Sequence, residues 1–235
     1  MNKKGANSDI SYVQNGGFLR ESIFGLNDGL VSTLALLAGL SGAVVENWVI
    51  VFAGLAEILS GSISMGLGAY ISTKSETEYF KNQIEKERKS IEDIPNIEIK
   101  EIKDIYRSKG FNEKEVNLIV SKITKHKATW LETLIHEKIG IGERFDDPKK
   151  LGLINGFSFI IGGLFPIIPF IFLKSIYPLA FGTIIALIVL FIIGILKSRL
   201  TGKNWFVSGI ELSLVCLVAA TLSYFAGRLI MIIGG

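Results

Sequence analysis

The sequence predicts an all-α polytopic membrane protein with five transmembrane helices and a small cytoplasmic helical insert. Three observations predict it. The 235 residues are 49% hydrophobic, with a mean hydropathy of +0.44, and the apolar residues are bunched rather than spread. Five stretches, roughly 22–44, 48–72, 151–173, 176–196 and 205–232, approach the ~20 apolar residues a helix needs to cross hydrocarbon. Between the second and third, the chain turns abruptly polar, with 16 acidic and 17 basic residues over 73–150. A transmembrane β-barrel would alternate apolar and polar residues, and "LIVLFIIGIL" (187–196) does not.

The chain accordingly divides into a cytoplasmic N-terminal tail (1–20), two spans (21–72), the insert (73–150) and three spans (151–235). The first span starts late, is long and leads directly into a second, unlike a cleaved signal peptide. Lys3, Lys4 and Arg20 precede it, and Lys197, Arg199 and Lys203 fill the link between the fourth and fifth spans. The positive-inside rule then places the N-terminus and the insert in the cytoplasm and the C-terminus outside. Cys216 is the single cysteine, so neither an internal disulfide nor a thiolate cluster is available.

Within the insert, "SETEYFKNQIEKERKSIED" (75–93) holds no Gly or Pro and predicts an extension of the second membrane helix, ended by Pro95. "IEIKEIKDIYRSKG" (97–110) spaces Ile97, Ile102, Ile105 and Tyr106 along one helical face, with Gly110 as its C-cap. Asn112 and Glu115 form a capping-box signature for the next helix. In the last segment (129–141), Trp130, Leu131, Leu134 and Ile135 fall together. The two histidines, His126 and His136, read as solvent-facing helix residues.

Three carboxylates lie well inside the spans: Asp28, Glu57 and Glu211. An ionisable side chain at the centre of a bilayer costs at least ~2.5–3.5 kcal/mol, and such residues mark ion or proton paths by default. Asp28 sits in "FGLNDGLVS" (24–32), beside Asn27 and between Gly25 and Gly29. Glu57 shares a helical face with Gly61, Ser64, Met65 and Gly68 in "AEILSGSISMGLGAYISTKSE" (56–76). Carboxylate with thioether suits a borderline-soft divalent ion; Ser, Gly and Met on one face also fit plain helix packing. Glu211 reads either as a third pathway group or, preferably, as a partner of Arg199 or Lys203. Glu21 and Glu46, at span ends, read as charges exposed at the interface. Gly162, Gly163, Pro166 and Pro169 imply a bent third span with freed carbonyls.

"FGLNDGLVSTLALLAGLSGA" (24–43), "AEILSGSISMGLGAYISTKSE" (56–76) and "GGLFPIIPF" (162–170) resemble the signature blocks of the vacuolar iron transporter family. The order of blocks, the five spans and the insert after the second span match as well. The resemblance implies a homodimer that moves Fe²⁺, and often Mn²⁺, out of the cytoplasm, with proton exchange in characterised members. The family's intramembrane metal-path residues fall on Asp28, Glu57 and Met65. Its metal-collecting insert glutamates fall on Glu98 and Glu101, with Glu87 at the end of the extended second helix. Departures follow: a further family glutamate falls on Ser90, and two methionines are missing near "LIHEK" (134–138). The ligand position there falls on Lys138, with Glu137 beside it as a substitute.

The expected function is therefore transport of a divalent metal by Asp28, Glu57 and Met65, with Asn27, Gly25 and Gly29 giving backbone access and helix proximity. The expected metal ligands are Asp28, Glu57, Met65, Glu87, Glu98, Glu101 and Glu137. The expected partners are divalent ions, protons, the bilayer and a second copy of the chain, with no permanently bound cofactor and no nucleic acid. The competing expectation is a membrane-anchored metal-binding or sensing protein without a transport cycle. An enzyme is disfavoured, because no nucleotide-binding motif and no histidine cluster is present.

Overall fold

The computed structural model describes residues 3–140, 145–173 and 177–234, with side chains described from residue 16 onward apart from 139 and 200. Its elements are α1 (Lys3–Gly42), α2 (Asn47–Asp93), α3 (Pro95–Ser108), α4 (Glu113–Ile123) and α5 (Lys127–Leu134), which continues as a π-helical turn (Ile135–Ile139). Three long helices follow: α6 (Pro148–Phe172), α7 (Pro178–Thr201) and α8 (Trp205–Gly234). Among the described residues there is no strand. Five stretches are long and apolar enough to cross a membrane: Gly16–Gly42 in α1, α2, α6, Pro178–Arg199 in α7, and α8. The chain divides into two compact units, Met1–Ser72 with Asp147–Gly235 and Thr73–Asp146.

In the first unit α1 packs against α6, α7 and α8. Its Leu30, Leu34 and Ala38 bury against Ala186, Leu190 and Ile193 of α7 and Cys216 and Ala220 of α8. A second cluster joins Leu37, Ile50 and Ile58 to Ile167 and Phe170 of α6. The opposite faces stay apolar and exposed, as Leu59, Leu153, Phe157 and Leu222 illustrate. That pattern suits a chain whose solvent is hydrocarbon. Between helices in lipid there is no hydrophobic driving force, so association rests on close packing through small residues.

Glycines provide that closeness. A Cβ on Gly25 would lie 2.4 Å from the Asn155 carbonyl oxygen, one on Gly29 2.2 Å from that of Phe159, and one on Gly162 2.3 Å from that of Leu26. The α1 and α6 backbones therefore touch directly along this crossing. α2 meets α6 in the same way, with Gly61 against the Phe159 ring and Gly66 against the carbonyl of Gly152.

α6 continues through both Pro166 and Pro169. Each proline lacks an N–H, which frees the carbonyl one turn earlier. At the end of the helix, the Asn47 side chain donates to the Phe170 carbonyl oxygen at 2.7 Å, tying the start of α2 to α6.

The second unit has its own core of Ile91, Ile102, Val116, Val120, Trp130 and Leu134. The capping box at Asn112 forms as the sequence predicts: its side chain accepts from the backbone N–H of Glu115, whose carboxylate accepts from the backbone N–H of Asn112. Pro95 opens α3 directly after α2 ends at Asp93, and Gly110 follows the end of α3 with φ +93°. One expectation fails here. Ile97 is exposed, whereas its neighbour Glu98 is only 2% exposed. The buried face of α3 runs through Glu98, Ile102 and the partly buried Ile105, so the i, i+4, i+7 stripe starts one residue later than its aliphatics imply. His126 and His136 are exposed.

The crossing yields a test. Gly162→Ala puts a methyl group where the Leu26 carbonyl sits, and overpacking of this kind costs ~1–3 kcal/mol or more. Thermal unfolding in detergent should show a clear loss for Gly162→Ala. Gly16→Ala, where a Cβ meets nothing within 4 Å, should cause no loss and should add at most ~1 kcal/mol through helix propensity.

Candidate metal pathway

Five acids lie within or at the ends of the spans, and their surroundings sort them. Glu21 is buried, at 8% exposure, which corrects the expectation of an interfacial charge. The close α1–α6 crossing at Gly25 brings Asn155 beside it. Asn155 Nδ2 donates to Glu21 Oε2 at 2.7 Å, and Arg20 Nε pairs with Glu21 Oε1 at 3.0 Å. The available signal was Asn155 itself, a fully buried amide in an apolar helix, together with a glycine one turn from Glu21. Glu46 is exposed as expected, accepting from the Trp48 indole. Glu211 is exposed and its partner is Lys197, at 3.9 Å, rather than Arg199 or Lys203. Lys197 lies on α7 and Glu211 on α8, so the pairing depends on how those two helices pack.

Asp28 and Glu57 differ from these three. Both are partly buried, and among the described residues no Lys, Arg or His side chain pairs with either. The nearby hydroxyls bond to backbone instead: Ser32 Oγ donates to the Asp28 carbonyl oxygen at 2.7 Å, and Ser60 Oγ to that of Glu57 at 3.3 Å. Beside Asp28, Asn27 keeps its side-chain oxygen buried without a hydrogen-bond partner. Such an orphan normally costs ~1–3 kcal/mol.

Phe159 organises the surroundings. Gly29, next to Asp28, sits against its backbone, and Gly61 sits against its ring. Glu57 and Met65 lie one turn either side of Gly61 on one face of α2, and Met65 is partly buried. Gly29, the neighbour of Asp28, and Gly61, between Glu57 and Met65, thus both abut Phe159. Among the described residues, however, no three His, Cys, Asp or Glu side chains lie close enough to share an ion. Nearer the C-terminal end of α1, a cavity is lined by polar groups including Ser41, Asn47, Thr183 and Tyr224 and, among the described residues, by no Asp, Glu, Lys, Arg or His.

In the second unit, three of the predicted ligands do converge, but on a lysine. Lys138 Nζ lies 2.6 Å from Glu101 Oε2, 3.1 Å from Glu87 Oε2 and 3.6 Å from Glu98 Oε2. Burial pushes the Glu98 carboxyl above its ordinary range, with Lys138 opposing and Glu87 and Glu101 reinforcing the shift. Partial burial pulls the Lys138 ammonium down, but its close contacts with Glu101 and Glu87 outweigh this and hold it well above its usual value. Glu137 is not among them; it pairs with Lys109 at the end of α3.

Fold and site together define a polytopic helical membrane protein whose spans hold two acids that pair with no basic side chain among the described residues. The chain belongs to the VIT family, whose model matches residues 19–228. It is 31% identical to vacuolar iron transporter 1 of Oryza sativa subsp. japonica over 217 residues, covering 91% of this chain and 85% of that protein. It is 29% identical to vacuolar iron transporter 1 of Arabidopsis thaliana, covering 92% of this chain and 87% of that one. Protein CCC1 of Saccharomyces cerevisiae is 28% identical, over 97% of this chain and 76% of its own length.

The buried pair gives a double-mutant test. Asn155→Leu leaves the Glu21 carboxylate without its amide donor and should cost ~1–3 kcal/mol in thermal unfolding. Adding Glu21→Leu removes the stranded acid as well, and the double variant should recover most of that loss.

Proposed function

We propose that this protein transports divalent transition-metal ions, Fe²⁺ first and Mn²⁺ second, out of the cytoplasm in exchange for protons. The observation that carries the reading is the contrast among the acids. Glu21, Glu46 and Glu211 have protein partners, whereas Asp28 and Glu57 have none among the described residues. Unpaired carboxylates in low dielectric are costly, and a passing cation or a proton supplies the missing charge. The names of the rice and Arabidopsis relatives, vacuolar iron transporters, support iron as the cargo.

In this reading Asp28 and Glu57 ligate the ion as oxygen donors and take up protons when it leaves. Met65 adds a thioether that favours softer ions over Mn²⁺. Gly25 and Gly29 hold α1 against α6, and the orphan Asn27 oxygen offers a further neutral donor. The cavity at the end of α1 is the release vestibule. The described residues of one chain assemble no three-ligand cluster of His, Cys, Asp or Glu, so a homodimer completes the coordination. The N-terminus and the insert face the cytoplasm and the C-terminus faces the other side. No permanent cofactor, nucleic acid or catalytic step is involved.

Flux into proteoliposomes tests the reading against a membrane-anchored metal buffer, because only a transporter accumulates ions and responds to a pH gradient. Asp28→Asn and Glu57→Gln should each abolish Fe²⁺ flux while leaving a folded protein, because each removes charge at nearly constant shape. Near-normal flux in either variant overturns the pathway assignment.

Met65→Leu conserves volume, so its stability should change by less than ~1.5 kcal/mol. Competition flux assays should then show the preference moving from Fe²⁺ toward Mn²⁺. An unchanged ranking makes Met65 a packing residue.

A further inference from the structure

The cluster around Lys138 is assembled from three separate pieces of the insert. Glu87 comes from the last turns of α2, Glu98 and Glu101 from α3, and Lys138 from the π-helical turn after α5. On α3 the two acids are three residues apart, the spacing at which helical side chains meet. The cluster is enclosed at Glu98 and Glu87 and opens to solvent at Glu101 and Lys138, whose side chains are 40% and 34% exposed. Glu98 is 2% exposed and the Glu87 side chain 13%. Glu98 Oε2 is fully enclosed and has no hydrogen-bond partner, although it lies 3.6 Å from the ammonium. Three carboxylates converging on one half-enclosed point repel one another without a cation, and the chain supplies that cation itself.

We propose that the Lys138 ammonium is the resident cation of the insert, so that the insert assembles without metal and a divalent ion enters only by displacing it. Charge and size both support this. One ammonium against three carboxylates leaves the cluster negative, so external cations are still attracted to it. Yet a bound Mg²⁺ or Zn²⁺ draws oxygens in to ~2.0–2.2 Å, whereas Lys138 holds them at 2.6–3.6 Å. The lysine thus repels an incoming ion and also keeps its ligands too far apart. The ammonium has three N–H donors, yet Glu98 Oε2 stays 3.6 Å away without a hydrogen bond, which marks the imperfect fit. Glu137 provides no alternative ligand while Lys109 holds it. This inference rests on the insert alone and stands whether or not Asp28 and Glu57 carry metal.

The test uses full-length protein in detergent, in an Asp28→Asn, Glu57→Gln background so that Mn²⁺ binding between the spans does not contribute. Mn²⁺ affinity is measured by calorimetry and by electron paramagnetic resonance of free Mn²⁺. Lys138→Met removes the charge and keeps the stem, and should bind Mn²⁺ about tenfold or more tightly than the parent. Adding Glu98→Gln and Glu101→Gln should erase that gain, and Lys138→Arg should bind no better than the parent. Hydrogen exchange over 87–101 in the unsubstituted protein should be the same in EDTA and in Mn²⁺, a readout that needs no variant to fold. Unchanged affinity in a folded Lys138→Met variant overturns the proposal. So does tight Mn²⁺ binding with Lys138 in place, or protection over 87–101 that collapses when EDTA is added.

Discussion

The direct backbone contact between α1 and α6 is the constraint on which the rest of the membrane unit depends. Gly25, Gly29 and Gly162 leave no room for a side chain at their contacts, and in lipid such closeness, not apolar burial, is what holds helices together. It seats Asn155 on Glu21 and positions the Phe159 backbone beside Asp28's neighbour. It also frees the Phe159 ring to receive Gly61 of α2. Any side chain at the crossing would push α1, which carries Asp28, away from α6.

The chain manages its buried acids in three different ways, and the difference is informative. Glu21 is satisfied by an amide and a guanidinium, which fix it as part of the architecture. Asp28 and Glu57 have no counter-charge among the described residues, an arrangement that favours either a neutral carboxyl or a bound cation. Glu87, Glu98 and Glu101 share one tethered ammonium. A fixed partner makes a structural element, an absent partner leaves room for cargo, and a tethered partner competes with cargo. Divalent-ion transport asks for the second arrangement within the membrane. In the insert, the third changes what the glutamates can do.

Much of this was legible before any coordinates. Stretches of ~20 apolar residues can bury their own backbone hydrogen bonds only as helices, so composition alone determined five spans. The abrupt charge at residue 73 marked the insert, and Asn112 with Glu115 marked a helix start that forms as predicted. Asp28 and Glu57 stood out because a carboxylate in an apolar run is expensive wherever the run packs. Local chemistry decides each of these features, and a sequence displays local chemistry directly.

Pairing belonged to the tertiary structure. Glu21 looked like an interfacial charge, because nothing near it in the chain revealed an amide 134 residues away. Glu211 had basic candidates at Arg199 and Lys203, yet α7–α8 packing selects Lys197. On α3 the buried stripe runs through Glu98 and not Ile97, because what faces an element decides which of its residues can be buried. Lys138 was visible as a departure from a ligand position, but only the folding of α2, α3 and the π-helical turn against one another showed it seated among three acids. Charge–charge energy depends on distance and local dielectric, and both are set by the fold.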